Sequence, residues 1–119
     1  MICLLDDDPS VLKGLSRLLR SVGLEERPFT DPEPFLDFIR SQCTPVAVLD
    51  ICLPRITGLE VQMEMKKICP ATRAIMITGK DDPAIRALAL KQGAYSFFLK
   101  PFNNEEFLVS VEAALTSSG

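Results

Sequence analysis

The chain has 119 residues, 47% apolar and 24% charged, which suits one globular domain with a core of its own. Histidine is absent, so Ser-His and Cys-His catalytic pairs, His-ligated zinc and a phosphohistidine carried by this chain are all excluded. A net charge of −3, no tryptophan and a single tyrosine argue against a nucleic-acid-binding surface.

Ile2-Cys3-Leu4-Leu5 is a short apolar run that ends in Asp6-Asp7-Asp8. Val11, Leu12, Leu15, Leu18, Leu19 and Val22 then recur at helical spacing. Asp8 suits the N-cap, Pro9 the first helical position and Gly23 the C-terminal cap, which predicts a helix over 9–22. Glu25 to Phe29 reads as a polar edge strand, because Pro28 cannot donate to a ladder. Asp31-Pro32 starts a short helix carrying Phe35, Phe38 and Ile39. Val46-Ala47-Val48-Leu49 is a continuous apolar run, as expected of a strand covered on both faces, and ends at Asp50. Thr57-x-x-Glu60 is a capping box opening a helix to about Ile68. Ala74 to Ile77 is a further buried run that ends at Thr78. Asp82-Pro83 starts a helix that Gly93 stops. Phe97-Phe98-Leu99 is the last strand, ending at Lys100-Pro101, and Asn103-x-x-Glu106 opens the last helix. The tail from Thr116 to Gly119 is expected to fray.

Strands alternating five times with helices predict an α/β fold, a parallel sheet with helices on both faces. The flavodoxin-like strand order 2-1-3-4-5 is the expectation, with ligands at the carboxyl ends of the strands. The whole of 1–119 is expected to be one domain. No apolar run approaches the ~18 residues of a membrane span, and no secretory pattern is read ahead of the first strand. The four cysteines, Cys3, Cys43, Cys52 and Cys69, lack C-x-x-C spacing. They are therefore expected to be reduced, mostly packed thiols of a cytoplasmic protein.

Asp6, Asp7, Asp50, Thr78 and Lys100 all fall at strand ends on one edge of such a sheet. Singly, each reads as a cap, a turn acid or a surface lysine; together they form a candidate site. Three neighbouring carboxylates cannot all stay ionised without a counter-charge. A hard divalent cation resolves this, and Mg²⁺, with Mn²⁺ as a substitute, takes such oxygen ligands while keeping several waters.

The ordered set Asp6-Asp7, Asp50-Ile-Cys-Leu-Pro54 with Gly58, Thr78, and Lys100-Pro101-Phe102 resembles the receiver domain of two-component response regulators over nearly the full chain. The resemblance implies that Asp50 accepts a phosphoryl group from the phosphohistidine of a sensor histidine kinase. It implies a Mg²⁺ site of Asp7, Asp50 and the backbone carbonyl of Cys52, with Asp6 acting through water. Thr78 matches the switch hydroxyl, Lys100 the lysine that pairs with the phosphoryl group, and Pro101 a proline that follows a cis peptide. Phe97 stands where the family carries an aromatic switch residue, and is expected to act by packing alone, having no hydroxyl. Cys52 and Lys80 occupy the positions that tune acyl-phosphate hydrolysis; neither orients a water well, so slow self-dephosphorylation is expected. Gly79 is expected to loosen the loop after Thr78.

The run Ile77-Thr78-Gly79, the phenylalanines of the second helix and Lys100-Pro101-Phe102 resemble the FixJ-type branch. Such regulators usually carry a C-terminal helix-turn-helix domain, so the resemblance implies that DNA binding would belong to an output domain outside these residues and that the chain would be a receiver excised from a longer regulator. A homodimer through the fourth helix, fifth strand and fifth helix is the usual family arrangement. Two rival readings stand beside this one. A haloacid-dehalogenase-type phosphohydrolase would place its nucleophile on Asp6 but leaves Asp50 and Pro54 unexplained. A receiver-like interaction module that is never phosphorylated leaves the acids and Lys100 without a purpose. Three acids after the first strand would repel the phosphate of a flavodoxin cofactor.

Overall fold

The structure, a computed structural model, describes residues 1–116. Five strands and five helices alternate: β1 (Ile2–Leu5), α1 (Pro9–Ser21), β2 (Glu26–Phe29), α2 (Pro32–Ser41), β3 (Val46–Asp50), α3 (Gly58–Ile68), β4 (Arg73–Thr78), α4 (Pro83–Lys91), β5 (Ser96–Leu99) and α5 (Asn104–Thr116). All strand pairs are parallel and the order is β2-β1-β3-β4-β5, the arrangement the sequence predicts. Thr116 still belongs to α5; the rest of the tail expected to fray, 117–119, lies outside the described residues.

The sequence makes most helix boundaries for a local reason. The Asp8 side chain accepts from Ser10 N–H, and that of Asp82 from Ala84 and Ile85 N–H, with proline following each cap. Thr57 Oγ1 accepts from Glu60 N–H at 3.3 Å, and Asn103 Oδ1 accepts from Glu106 N–H at 3.0 Å. Gly23 and Gly93 end α1 and α4 with φ of 79° and 101°, a region that favours glycine. At α2, Asp31 makes no side-chain cap bond.

Side-chain alternation along the strands divides the interior in two. Ile2, Leu4, Val46, Val48, Ile75 and Ile77 face α1 and α5, meeting Leu12, Leu15, Leu19, Phe107, Val111 and Ala114. Cys3, Leu5, Ala47, Leu49, Ala74 and Met76 face the opposite way, toward Phe35, Leu36 and Ile39 of α2, Val61 and Met65 of α3 and Ala89 of α4. β1 and β3 are buried along their whole length. Shortening Leu49 to alanine would cost roughly 2–5 kcal/mol. β5 is an edge strand, and its Phe97 and Phe98 are only half-buried.

One expectation fails. Cys43 and Cys69 are joined by a disulfide and are not reduced thiols. Their sequence separation of 26 falls outside any short cysteine motif. The ends of α2 and α3 lie side by side and bring their Cα atoms to 5.8 Å, within the range a disulfide spans. Cys3 is a buried free thiol and Cys52 an exposed one.

Candidate functional site

β1 and β3 are neighbours, with Leu5 opposite Leu49. The residues that follow, Asp6 and Asp50, therefore emerge together at the carboxyl edge. Asp6 and Asp50 are almost wholly buried (1% and 3% exposed), whereas Asp7 is exposed. Carboxylate oxygens of Asp6, Asp7 and Asp50 all lie within 4.8 Å of one another.

Lys100 reaches this cluster from the end of β5. Its backbone N–H donates to Thr78 O at 2.7 Å, which ties the loop after β5 to the end of β4. The Lys100–Pro101 peptide bond is cis. Lys100 Nζ donates to Asp6 Oδ2 at 2.7 Å and lies 3.6 Å from Asp50 Oδ1. Asp6 Oδ1 accepts from Asp8 N–H at 2.9 Å. Both Asp6 oxygens are therefore engaged. Asp50 Oδ1 accepts only a longer bond of 3.2 Å, from Cys52 N–H.

Three acids share one ammonium. Burial, then the charge of Asp6, pushes the Asp50 carboxyl up to about 6; Lys100 and the Cys52 N–H pull the other way, and Asp7 adds to the rise. At Lys100, burial alone would lower the pKa, but the hydrogen bond to Asp6 and the charges of Asp50 and Asp6 outweigh it and leave the ammonium above its ordinary value. The cluster thus holds more negative charge than its own cation balances. That unmet charge and an all-oxygen donor set fit a hard divalent cation.

Thr78 closes the site on the β4 side. Asp50 pairs in register with Ile77, which places Thr78 one residue further along the adjacent strand, 2% exposed. Its Oγ1 accepts from Lys80 N–H at 3.2 Å and sits 3.4 Å from Cys52 Sγ. The loop after Asp50 folds tightly back: Ile51 N–H donates to Ile77 O, and Gly58 N–H to Ile51 O, both at 2.9 Å. Phe97 lies apart from the acids, on the sheet face that packs against α2, α3 and α4, under the Arg86 guanidinium at 5.7 Å from the ring centroid.

Two features were not drawn from the sequence. One is the close approach at Gly58, where a Cβ would press on the Asp50 carbonyl oxygen and lie 2.7 Å from Ile51 Cα. A glycine at the first position of α3, just after the Thr57 cap, is the only signal of it. The other is the contact of Arg86 with Phe97, which needs the α4–β5 geometry.

The Response regulator receiver domain family matches residues 2–112. Response regulator protein TodT of Pseudomonas putida is 38% identical over 115 residues, 97% of this chain and 51% of its own length. This chain spans about half the length of TodT and of other curated relatives that it matches. The receiver domain of NtrX from Brucella abortus superposes with a TM-score of 0.93 at 30% identity, covering 99% of this chain and 100% of that one. A response regulator from Burkholderia pseudomallei, solved with a phosphorylated aspartic acid, calcium ion and citrate, superposes with a TM-score of 0.85 at 25% identity, covering 98% of this chain and 66% of that one. With the strand order and the family match in agreement, the chain belongs to the response regulator receiver domain family.

Proposed function

We propose that this receiver accepts a phosphoryl group on Asp50 from a sensor histidine kinase, and that the modification switches an output. The observation that carries the reading is the asymmetry between the two buried acids. Asp6 has both oxygens engaged, by Lys100 and by Asp8 N–H, whereas the Asp50 carboxylate accepts only the Cys52 N–H bond. Asp50 is the better-placed nucleophile, and the phosphohydrolase reading with Asp6 as nucleophile loses its support. The solved relative from Burkholderia pseudomallei carries a phosphorylated aspartic acid and a calcium ion, which favours the same chemistry here.

Asp7, Asp50 and the backbone carbonyl of Cys52 would hold Mg²⁺, with Mn²⁺ able to replace it and Asp6 acting through water. The cation supplies charge neutralisation for a loose, highly charged transition state. Lys100, already held by Asp6 beside Asp50, pairs with the transferred phosphoryl oxygens. The product adds a charge of about −1.5 to −2 at Asp50. Thr78 then gains a hydrogen-bond acceptor that only the phosphorylated form offers, in exchange for its contacts with Cys52 and Lys80. A contact made in one state only is what shifts a two-state equilibrium. Phe97 fills the space Thr78 leaves, by packing alone. Cys52 and Lys80, poor orienters of an attacking water, make the acyl phosphate slow to hydrolyse.

The chain is thus a cytoplasmic signalling domain, not a turnover enzyme. Residues 1–119 form a single receiver of the FixJ-type branch, and DNA binding belongs to an output domain beyond them. Leu88, Leu90, Leu99 and Val109 are exposed apolar residues on α4, β5 and α5, and support a homodimer through that face. No helix among the described residues is long and apolar enough to cross a membrane.

The test uses Mg²⁺, a small phosphodonor such as acetyl phosphate, and intact-mass measurement of two variants. Asp50→Asn abolishes the phosphoryl adduct, whereas Asp6→Asn slows its formation yet leaves the adduct on Asp50. An adduct that survives Asp50→Asn and disappears with Asp6→Asn would overturn the assignment.

A further inference from the structure

At the end of the sheet opposite the acids, the Cys43–Cys69 disulfide forms one wall of a cavity of about 810 Å³. Lys66, Arg73, Thr72 and Tyr95 line the same cavity. Cys43 is an exposed residue, whereas Cys69 is 2% exposed, so a small thiol approaches the bond from the Cys43 side. Lys66 Nζ donates to Thr72 O at 2.9 Å, which uses one of its three N–H groups and leaves two for another acceptor. The cavity therefore brings together a disulfide and two cationic side chains.

We propose that Cys43 and Cys69 are a reversible thiol–disulfide site that exchanges with an anionic low-molecular-weight thiol held in this cavity by Lys66. The thiolate of the small molecule attacks Cys43 Sγ, forming a mixed disulfide and expelling the Cys69 thiolate, which takes a proton. A second small thiolate attacks the sulfur of the bound small molecule and releases the Cys43 thiolate. The protein disulfide and two thiols become a protein dithiol and one small-molecule disulfide; the reverse sequence restores the bond. Burial and the charge of Arg73 lower the Lys66 pKa, so an anion beside it relieves a cost the fold otherwise carries. The bond closes a loop over 43–69 that contains all of β3, Asp50 and α3. Its state therefore sets how firmly the acid-bearing segment is held, whether or not Asp50 is phosphorylated.

Glutathione, a tripeptide thiol with two carboxylates, is the probe. The folded protein is equilibrated in graded ratios of reduced to oxidised glutathione, quenched by alkylation and mapped by peptide mass, which separates the pair from the exposed Cys52. Cys43 and Cys69 should interconvert together in one two-electron transition, and the reduced form should melt roughly 10 °C lower. Cys69→Ser should accumulate a glutathione adduct on Cys43, whereas Cys43→Ser should leave Cys69 unmodified. Lys66→Gln should slow exchange with glutathione several-fold while leaving exchange with neutral mercaptoethanol unchanged, and added salt should do the same to the unsubstituted protein. A pair that stays bonded in excess reduced glutathione until the protein unfolds would overturn the proposal. So would equal slowing of both thiols by Lys66→Gln.

Discussion

At Asp50, burial and the Asp6 carboxylate both favour the protonated acid, and Lys100 opposes them only in part. A carboxyl raised from 3.8 to about 6 on folding binds its proton more tightly in the folded chain than in the unfolded one. Its stabilising contribution is therefore full below the unfolded value and lost as pH rises through the folded one. Above pH 6 the ionised carboxylate strains the fold. In the presence of a chelator, Asp50→Asn should be more stable than the unsubstituted chain at pH 8, by on the order of 2 kcal/mol. The gap should vanish near pH 4. Thermal unfolding followed across this range checks it, and a gap that does not change with pH would contradict the charge account.

Much of this site is legible in the amino-acid sequence because its members sit at strand ends, and the strand ends of a parallel sheet share one edge. Asp6, Asp50, Thr78 and Lys100 are all found there. The split between Asp6 and Asp7 is not legible from composition. Alternation along β1 turns one carboxylate inward and the next out, and which of them meets Lys100 depends on a side chain 94 residues away.

The elements follow their local signals closely. Asp8, Thr57, Asp82 and Asn103 cap their helices as side-chain acceptors, so four of the five starts rest on chemistry within three residues. The exception, α2, has proline at its start but no cap bond from Asp31. Long-range geometry is what a linear reading lacks. The Cys43–Cys69 bond spans two elements that touch only once the sheet has formed. β5 reads as apolar, yet it lies at an edge that α4 covers with one buried side chain, that of Ala89.

The junction of β3 and α3 leaves no room for a side chain at its glycine. Gly58 is required by close approach: any Cβ meets the backbone of Asp50 and Ile51. Gly58→Ala should cost about 1–3 kcal/mol by overpacking and should displace the Asp50 carbonyl. The measurement is chemical denaturation together with the rate of adduct formation from acetyl phosphate. Both should fall, whereas unchanged stability would show that the loop yields freely.

Across the whole molecule the two halves of the interior do different work. The α1–α5 side is apolar along β1, β3 and β4. The other side includes the half-buried Phe97 under Arg86 and α4, a helix anchored by one buried residue, Ala89. If Phe97 transmits the change by packing, Phe97→Ala should leave phosphorylation of Asp50 intact. It should also uncouple Asp50 from α4, seen as loss of the phosphorylation-dependent shift in α4 amide resonances. Retention of that shift would make Phe97 an ordinary core residue.

The central claim is that an acid cluster completed by a hard cation turns Asp50 into a phosphoryl acceptor. Its most direct test is the intact mass of the unsubstituted chain after incubation with acetyl phosphate, with Mg²⁺ or with a chelator in its place. One phosphoryl group per chain, on Asp50, labile to hydroxylamine and absent with the chelator, is the predicted result. A chain that stays unmodified with Mg²⁺ present, or gains the group equally well without it, would contradict the account.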